Sequence, residues 1–244
     1  MGDEMNVIGV IPARFSSARF VGKVLADLGG KPVVQHVWEN ARKSKMLDDL
    51  IIATDDERVL KAAENFGAKA VYTSPDQPSG SDRLIEVINP IDVKVVINIQ
   101  GDEPMVKSEM IDDLARAILD DKDVYMATLA KKIEDKSEIS NPNVVKVVRD
   151  KNGFALYFSR SVIPYPRHET ISAYYKHIGL YAYTKDFLFQ FKNLPKSYLE
   201  MTEGLEQLRV LESGYKIKVI ETKFDTIGID TPEDLEKARA IIGA

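Results

Sequence analysis

Short apolar runs alternate with longer amphipathic segments along most of this chain. The first run, Val7 to Ile11, is aliphatic apart from one glycine, and it ends at Pro12, which has no N–H to donate to a sheet. Unbroken apolar runs of this length are typical of parallel strands that are covered on both faces. The same pattern predicts further strands at 50–53, 69–73, 93–99, 124–129, 177–183 and 217–220.

Helices are predicted between these strands. Apolar residues recur at helical spacing from Lys31 to Lys45, and Asp55 and Asp56 are expected to cap the next helix. Asp112 and Asp113 are expected on the solvent-facing side of their helix. The remaining predicted helices are 81–88, 108–119, 185–191, 202–212 and a final helix that begins at Thr231. This alternation predicts an α/β fold with a three-layer, doubly wound, mostly parallel sheet.

The pattern changes after Val144, where the segments VVKVVRD and FALYFSR flank Asn152-Gly153. An Asn-Gly pair accepts the positive φ angles of a tight turn, so we predict a β-hairpin. No linker composition or internal repeat marks a second domain. We therefore expect a single domain over residues 1–244, with the hairpin in a subdomain inserted at about residues 140–200.

Composition narrows the possible chemistry. The chain of 244 residues has no cysteine, three histidines and a net charge of −5. Disulfides, thiolate metal sites and cysteine nucleophiles are excluded, so any metal must rest mainly on carboxylates. The acidic balance argues against a nucleic-acid partner. No apolar run reaches the roughly 20 residues of a membrane span and no signal pattern opens the chain, so we expect a cytoplasmic protein without a membrane partner.

A basic loop follows the first predicted strand. Arg14, Arg19 and Lys23 lie among small residues, so that side chains and backbone N–H groups could converge on a polyphosphate. Gly22-Lys23 is followed by Val24 rather than serine or threonine, which excludes a Walker A loop, and no GxGxxG pattern follows the strand. Spacing alone also allows a solvated basic loop without a ligand.

Two aspartates are candidate Mg²⁺ ligands. Asp102 follows the central predicted strand, at the sheet edge where the basic loop is also expected. Mg²⁺ typically binds one or two carboxylates together with substrate phosphates, so a second acid is expected. Asp230 is the best candidate, although capping of the final helix explains an aspartate at that position equally well.

Other polar residues have two readings from sequence alone. Ser79, Gly80 and Arg83 could present main-chain groups and a guanidinium to a base, or simply begin a helix. Arg160 could bind a substrate carboxylate through two N–H groups, or form a surface ion pair of little energetic effect. Spacing does not decide between these alternatives.

Eight segments together resemble the 3-deoxy-manno-octulosonate (KDO) cytidylyltransferase family, also called the CMP-KDO synthetases. They occur in the family's order and at similar intervals over nearly the whole chain. The segments are IPARFSSARFVGK, SGSDRL, NIQGDEPM, NPNVVKVV, ALYFSRSVIPY, HIGLYAY, LEQLRVL and IDTPEDL. The combination distinguishes this family from the neuraminate cytidylyltransferases and from uridylyl- or guanylyltransferases of similar architecture.

The resemblance implies a glycosyltransferase-A-like nucleotidyltransferase fold and a reaction that belongs to lipopolysaccharide biosynthesis. CMP would pass from CTP to the anomeric hydroxyl of KDO, with release of pyrophosphate. Mg²⁺ is the implied cofactor, bound by Asp102 and Asp230, and a homodimer through the hairpin subdomain is implied as well. Val21 and Val24 stand where the family usually has prolines, so the loop is expected to be less rigid while keeping its charges.

The same resemblance assigns site residues. Arg14, Arg19 and Lys23 match triphosphate-binding positions and form the implied catalytic set with Asp102 and Asp230. Lys23 would stabilise charge that develops at the α-phosphate. The implied nucleotide-binding residues are Ala13, Arg14, Lys23, Ser79, Gly80, Arg83 and Gln100. The implied sugar-binding residues are Pro142, Arg160, His177, Tyr181, Glu206 and Gln207.

Three alternatives stay open at the level of sequence. The acceptor could be 8-amino-KDO or another sugar acid. A neighbouring nucleotidyltransferase would use a different base or acceptor. A nucleotide-sensing module without catalysis would also fit, since a fold does not dictate a function.

Overall fold

A nine-stranded mixed sheet forms the centre of the molecule. The computed structural model describes residues 5–17, 19–77, 80–168 and 173–243. Its strands are β1 (Met5–Pro12), β2 (Asp27–Leu28), β3 (Lys31–Pro32), β4 (Asp49–Thr54), β5 (Lys69–Tyr72), β6 (Val93–Asn98), β7 (Met126–Lys132), β8 (Lys146–Arg149), β9 (Ala155–Ser159), β10 (Tyr175–Thr184) and β11 (Lys218–Glu221). The order across the sheet is β11-β7-β10-β6-β1-β4-β5, with β8 paired to β10 and β9 to β8, while β2 and β3 form a separate ribbon.

Helices cover both faces of this sheet. They are α1 (Val33–Ala41), α2 (Glu57–Asn65), α3 (Gly80–Ile88), α4 (Ser108–Leu119), α5 (Lys185–Asn193), α6 (Tyr198–Glu203), α7 (Leu208–Glu212) and α8 (Pro232–Ile242). Val7 and Ile11 of β1 share a core with α1, α2 and α4, whereas Ile8 and Val10 share the opposite core with α3, α5 and α7. Successive strand residues point to opposite faces, so β1 is buried on both sides. The predicted three-layer α/β fold is confirmed.

Membrane insertion was not expected from the sequence. Across the described ranges, no helix has the length and apolar character needed to cross a membrane. The cytoplasmic location stays a prediction.

Along the order β11-β7-β10-β6-β1-β4-β5, four of the six neighbouring pairs are parallel, in keeping with the predicted mostly parallel sheet, but β10 runs antiparallel between β6 and β7. Its pairing with β7 shifts register between Ile178 and Tyr181. Bulges of this kind re-aim side chains and free backbone groups. The carbonyl of Gly179 accepts a hydrogen bond from Nε2 of Gln100 at 3.2 Å. The irregularity therefore lies beside the end of β6, where the chain leads to Asp102.

The predicted hairpin is present as β8 and β9. Gly153 occupies the turn with φ +80°, as expected for a residue without a Cβ. β8 continues into the main sheet through the pairing of Lys146 with Lys176 of β10. The segment at about 140–200 thus contributes a central strand of the sheet. Its division into a separate subdomain stays a prediction.

Two predicted helices differ from those observed. A single helix at 202–212 is wrong, because α6 and α7 are separated by Gly204, which has the left-handed φ of 63° that ends α6. The helix predicted from Lys31 begins instead at Val33, since Lys31–Pro32 pairs with β2.

Two predicted roles of acidic residues are also wrong. Asp112 is buried rather than solvated, and its carboxylate accepts a hydrogen bond from the hydroxyl of Ser44 at 2.5 Å, which ties α4 to the turn after α1. Asp56 caps α2 as predicted, but Asp55 forms an ion pair with Arg83. Both errors arise because a local pattern does not reveal a partner that is distant in sequence.

Candidate functional site

The basic loop after β1 folds back on itself. The N–H of Ala13 donates to the carbonyl of Ala53 at 2.8 Å, and the N–H of Gly22 donates to the carbonyl of Phe15 at 2.8 Å. Gly22 has φ +74°, and a Cβ there would lie 2.9 Å from the Phe15 ring. On this ring lies the guanidinium of Arg58, whose carbon is 3.4 Å from the ring centroid. The loop is thus closed by backbone and aromatic contacts rather than by its cations.

Lys23 lies between the two aspartates that were predicted as metal ligands. Its Nζ is 2.5 Å from Oδ2 of Asp102 and 2.8 Å from Oδ1 of Asp230. Nη2 of Arg19 lies 2.9 Å from the other oxygen of Asp230. A hydrogen bond of 2.9 Å from the N–H of Ile229 to the carbonyl of Asp102 joins the two acidic segments. Cations and carboxylates therefore form one cluster.

The geometry of this cluster stabilises the charge of Lys23. Burial opposes a charged ammonium group, but the charges and hydrogen bonds of Asp102 and Asp230 outweigh burial, so the pKa of Lys23 is raised. Lys23 is therefore a cation throughout the physiological pH range. A preorganised positive charge of this kind can stabilise a phosphate on which negative charge develops.

The two carboxylates suit a divalent cation. One ammonium nitrogen contacts both, so Asp102 and Asp230 are close enough to share a single ion. In the part of the chain that the structure describes, no group of three or more acidic or imidazole side chains could hold a metal. Mg²⁺ commonly takes one or two carboxylates and completes its octahedral shell with phosphate oxygens and water. The donor set fits this arrangement, and Mg²⁺ binding stays a prediction.

The helix-capping alternative for Asp230 is not what the structure shows. The cap of α8 is Thr231, whose hydroxyl accepts from the N–H of Asp234 in a capping box. The carboxylate of Asp230 instead accepts from Lys23 and pairs with Arg19. Asp230 is thus available to a cation, while its neighbour begins the helix.

A cleft of about 290 Å³ opens beside the cluster. It is lined by Pro12, Arg14, Ser16, Ser17, Lys23, Val24, Gly80, Gln100, Gly101 and Asp102. Gly101 is required where β1 and β6 end together, because a Cβ would lie 2.6 Å from the carbonyl oxygen of Pro12. Ala13 lies at this junction as well, and Ser79 lies outside the described residues. Most of the predicted nucleotide-binding residues are therefore brought to one cleft.

Arg14 and Arg83 have different surroundings. Nη2 of Arg14 donates to the carbonyl of Gln77 at 2.7 Å, and burial, followed by the charge of Arg83, lowers the pKa of Arg14. The side chain of Arg83 is completely buried, with Nη2 at 2.7 Å from Asp55 and a hydrogen bond from Nη1 to the hydroxyl of Thr73. Asp55 and Thr73 thus hold the charge of Arg83 inside the protein, where it acts on Arg14. Its direct binding to a base stays a prediction.

Three polar residues at the cluster and cleft were not predicted. Ser16 and Ser17 line the cleft. Glu103 adjoins Asp102, and burial, followed by the charge of Asp102, raises the pKa of Glu103 to about 8. Its Oε2 is buried without a hydrogen-bond partner among the described residues. The sequence signals were the serines within the basic loop and a second acid directly after Asp102.

Arg160 and Pro142 form the first part of the predicted sugar-binding group. Nη1 of Arg160 donates to the carbonyl of Pro142 at 3.0 Å, and Nε donates to the carbonyl of Glu203 at 2.7 Å. The carboxylate of Glu203, which was not predicted, accepts from the N–H of Arg160 at 2.9 Å and from the hydroxyl of Ser159 at 2.6 Å. The guanidinium is therefore held by two separate segments, which is not the surface ion pair allowed by the sequence.

His177 and Tyr181 form the second part. Their ring centroids are 5.4 Å apart, and Nε2 of His177 lies 3.0 Å from the hydroxyl of Thr128. Burial lowers the pKa of His177 to about 3. Burial, reinforced by the charge of Glu206, raises the pKa of Tyr181. Both side chains are therefore neutral hydrogen-bonding groups at physiological pH.

Glu206 and Gln207 complete the predicted sugar-binding group, and Glu206 connects it to the cleft. The hydroxyl of Ser81 donates to Oε2 of Glu206 at 3.1 Å, and Ser81 directly follows Gly80 of the cleft. Gln207 is 6% exposed, and its Nε2 has no hydrogen-bond partner within the described ranges. A buried amide without a partner is costly unless a ligand satisfies it.

Comparisons with known proteins agree with this geometry. A family profile described as "Cytidylyltransferase" matches residues 8–217. The 3-deoxy-manno-octulosonate cytidylyltransferase of Thermodesulfovibrio yellowstonii is 51% identical, over 96% of this chain and 97% of that protein. The protein of the same name from Solibacter usitatus is 50% identical, over 98% of this chain and 95% of that protein. The chain belongs to the 3-deoxy-manno-octulosonate cytidylyltransferase family.

Solved structures support the same family. A CMP:2-keto-3-deoxy-manno-octonic acid synthetase complexed with CTP has a TM-score of 0.94 and 44% identity, and the match covers 98% of both chains. The 4-diphosphocytidyl-2C-methyl-D-erythritol synthase of Anaerococcus prevotii has a TM-score of 0.66 at 17% identity, covering 99% of this chain and 100% of that chain. The second likeness shows the fold alone. The predicted nucleotidyltransferase fold is confirmed.

Val21 and Val24 of the basic loop are the two positions at which the resemblance predicts less rigidity. Val24 is 3% exposed and belongs to the core that β1 shares with α1, whereas Val21 is 66% exposed. Packing therefore restrains the loop at Val24, and the hydrogen bond from the N–H of Gly22 to the carbonyl of Phe15 restrains it at Gly22.

Proposed function

We propose that this cytidylyltransferase transfers CMP from CTP to the anomeric hydroxyl of KDO and releases pyrophosphate. The observation that carries the proposal is the cluster of Lys23, Arg19, Asp102 and Asp230 beside the cleft, in a chain that matches named KDO cytidylyltransferases over nearly its whole length. The sugar hydroxyl would attack the α-phosphorus in line with the pyrophosphate leaving group. No covalent enzyme intermediate is required.

The cations of the basic loop would bind the triphosphate. Arg14 and Lys23 line the cleft, and Arg19 pairs with Asp230, which also contacts Lys23. Lys23 would exchange its two aspartate contacts for the α-phosphate, where charge increases during the reaction. Arg14 keeps its orientation through the carbonyl of Gln77 and remains charged despite burial, because a guanidinium is not deprotonated in proteins.

Asp102 and Asp230 would hold the Mg²⁺ ion. When bound, the ion neutralises phosphate charge and lowers the pKa of the attacking hydroxyl. The two residues come from the end of β6 and the segment before α8, and the hydrogen bond from Ile229 to Asp102 fixes their spacing. They would therefore present a preformed pair of oxygen donors.

The sugar acid would bind beside the cleft. Arg160 would pair with its carboxylate, since a guanidinium can donate two parallel hydrogen bonds to that group. His177, which is neutral because burial lowers its pKa to about 3, would orient hydroxyl groups, together with Tyr181, Glu206 and Gln207. Pro142 would border the pocket through its contact with Arg160.

The decisive experiment measures pyrophosphate release with CTP, UTP or GTP, each combined with KDO, 8-amino-KDO or neuraminate, in the presence of Mg²⁺. We expect turnover with CTP and KDO to exceed every other nucleotide and acceptor pair. Faster turnover with 8-amino-KDO would assign the alternative acceptor. Binding of CTP without turnover on any acceptor would instead support the nucleotide-sensing alternative.

Asp102→Asn tests the metal assignment in the same assay. This substitution keeps the size of the side chain but removes a charge, so we expect turnover to fall about a hundredfold or more. Asp121→Asn, on the exposed segment after α4, is the matched control and should keep wild-type turnover. Unchanged turnover in Asp102→Asn would contradict the role of this carboxylate.

The protein is also proposed to act as a homodimer. Large apolar residues in the segment after β8 are exposed, namely Leu156, Tyr165, Tyr198 and Met201. Exposed apolar surface of this kind is often covered by a partner. Light scattering should give twice the monomer mass for the wild type, and a lower mass for Leu156→Arg at the same concentration. A monomeric wild type would disprove the dimer.

A further inference from the structure

Lys146 is a completely buried lysine in β8. Its Nζ donates to the carbonyl oxygens of Asn141 at 2.9 Å, Val144 at 2.6 Å and Arg160 at 2.7 Å. An ammonium group has three N–H donors, so all of them are used by backbone carbonyls. No ion pair among the described residues includes Lys146. A lysine without a partner carboxylate is an unusual occupant of such a buried position.

The three carbonyl oxygens belong to two different segments. Asn141 and Val144 flank Pro142 in the segment before β8, and Arg160 directly follows β9. Lys146 therefore joins the Pro142 segment to the backbone of Arg160. Loss of the ammonium group would remove the donor that these three carbonyls share, and with it the link between the two segments.

Two backbone carbonyls hold the guanidinium of Arg160. Its Nη1 donates to the carbonyl of Pro142 at 3.0 Å and its Nε to the carbonyl of Glu203 at 2.7 Å. A guanidinium has five N–H donors in a fixed plane, so these two bonds set its orientation and leave the Nη2 end for a ligand. Movement of the Pro142 segment would therefore rotate the donors that face the sugar acid.

We propose that Lys146 is a positioning residue for the sugar-acid pocket, acting through Arg160 and the segment around Pro142. Within the described residues, its Nζ hydrogen bonds go to Asn141, Val144 and Arg160, and Lys146 is not among the residues that line the cleft beside Lys23 and Asp102. Lys146 should therefore affect the binding of the sugar acid and not the binding of CTP. The inference rests on the proposed function, and in particular on Arg160 as the partner of the substrate carboxylate.

Lys146→Met is the first test, because it keeps the length of the apolar stem and removes the three donors. We expect KM for KDO to rise about tenfold to a hundredfold, since small displacements of a binding group have effects of this size. KM for CTP, measured at saturating KDO, should stay within about twofold of the wild-type value. A loss of folded enzyme would instead lower the apparent kcat and leave both KM values of the remaining active molecules unchanged.

The double variant Lys146→Met with Arg160→Met tests whether Lys146 acts through Arg160. If it does, Lys146→Met adds little to the rise in KM for KDO that Arg160→Met causes alone, because the two changes remove one shared interaction. Full multiplication of the two effects would overturn the proposal. So would equal changes in the KM values of CTP and KDO in the single variant.

Lys176→Met is the matched control. Lys176 is also a largely buried lysine, it pairs directly with Lys146 across β8 and β10, and it forms ion pairs with Glu138 and Asp225. We expect this variant to lose stability without a selective rise in KM for KDO. A selective rise in the control as large as in Lys146→Met would contradict a specific role of Lys146.

Lys146→Arg covers the case in which the methionine variant does not fold. Arginine keeps a positive charge and several donors, so we expect a selective rise in KM for KDO that is smaller than about tenfold. An unchanged KM for KDO in Lys146→Arg would count against the proposal.

A failure of the proposed function gives a different result, because the wild type would then show no turnover with CTP and KDO. An unchanged KM for KDO in Arg160→Met would identify an error in the Arg160 assignment alone.

Discussion

Lys23 occupies the position between two carboxylates that a divalent cation would also need. Its Nζ lies within 2.8 Å of both Asp102 and Asp230. An ammonium group and a metal ion cannot share this position, because like charges at such a short distance repel strongly. Metal binding and release of Lys23 towards the phosphates should therefore occur together.

Lys23→Met is expected to bind Mg²⁺ about tenfold more tightly than the wild type in the absence of nucleotide, because the competing charge is gone. The same variant should lose at least about a hundredfold in turnover, since no cation remains for the α-phosphate. Calorimetric titration with Mg²⁺ measures the first effect. Lys31→Met, which removes a lysine paired with Glu39 outside the cleft, is the control and should leave Mg²⁺ affinity unchanged. Equal Mg²⁺ affinity in Lys23→Met and wild type would show that the two cations do not compete.

His177 makes stability depend on pH. Burial lowers its pKa from 6.5 to about 3, so the folded protein binds its proton less readily than the unfolded chain. The resulting stabilisation is fully present above pH 6.5 and is lost as the pH falls towards the folded-state pKa of about 3. Melting temperatures measured between pH 7 and pH 5 should therefore fall less in His177→Gln than in the wild type. The exposed His168 provides the control, and His168→Gln should reproduce the wild-type slope.

Among the elements, the basic loop depends on a glycine with a left-handed conformation. Gly22 has φ +74° and would place a Cβ 2.9 Å from the Phe15 ring. Gly214 has a similar φ of +82°, but nothing lies within 4 Å of a Cβ at that position. The two glycines separate the effect of backbone strain from the effect of the contact with Phe15.

Gly22→Ala and Gly214→Ala should each lower the free energy of unfolding by about 1–2 kcal/mol, because alanine is strained at positive φ. Only Gly22→Ala should also raise KM for CTP, by about tenfold, since displacement of Phe15 moves the loop that carries the cations. Chemical denaturation and steady-state kinetics measure the two effects. A rise in KM for CTP in both variants would refute a specific role of the Phe15 contact.

The elements themselves were largely predictable, because each has a local cause. The strand at Val7 to Ile11 is visible as an apolar run, and the final helix is visible in its Thr231 capping box. The break at Gly204 was missed because helical spacing continued across it, although the glycine itself was the signal. The antiparallel course of β10 has no local signature.

The sequence predicted the residues that follow strand ends, but it did not predict the contact of Lys23 with Asp230 or the groups that hold Arg160. Arg14, Lys23 and Asp102 follow strand ends, and the topology of an α/β sheet brings such positions together. The bridge from Lys23 to Asp230 could not be predicted from spacing, since the two residues are 207 positions apart. Glu203 and Lys146 were missed because they act on Arg160 through backbone carbonyls and an N–H, which leave no pattern in the sequence.

In the molecule as a whole, the order of the strands across the sheet differs from their order along the chain. This difference affects the nascent chain during synthesis. Both neighbours of β7, namely β10 and β11, are made after it, and β6 gains its second neighbour only when Tyr175–Thr184 emerges from the ribosome. Until then the nascent chain carries unpaired strand edges, which are templates for aggregation. Ribosome-bound fragments that end before Tyr175 should accordingly be degraded rapidly by protease and retained by chaperones, whereas fragments that extend past β11 should resist both.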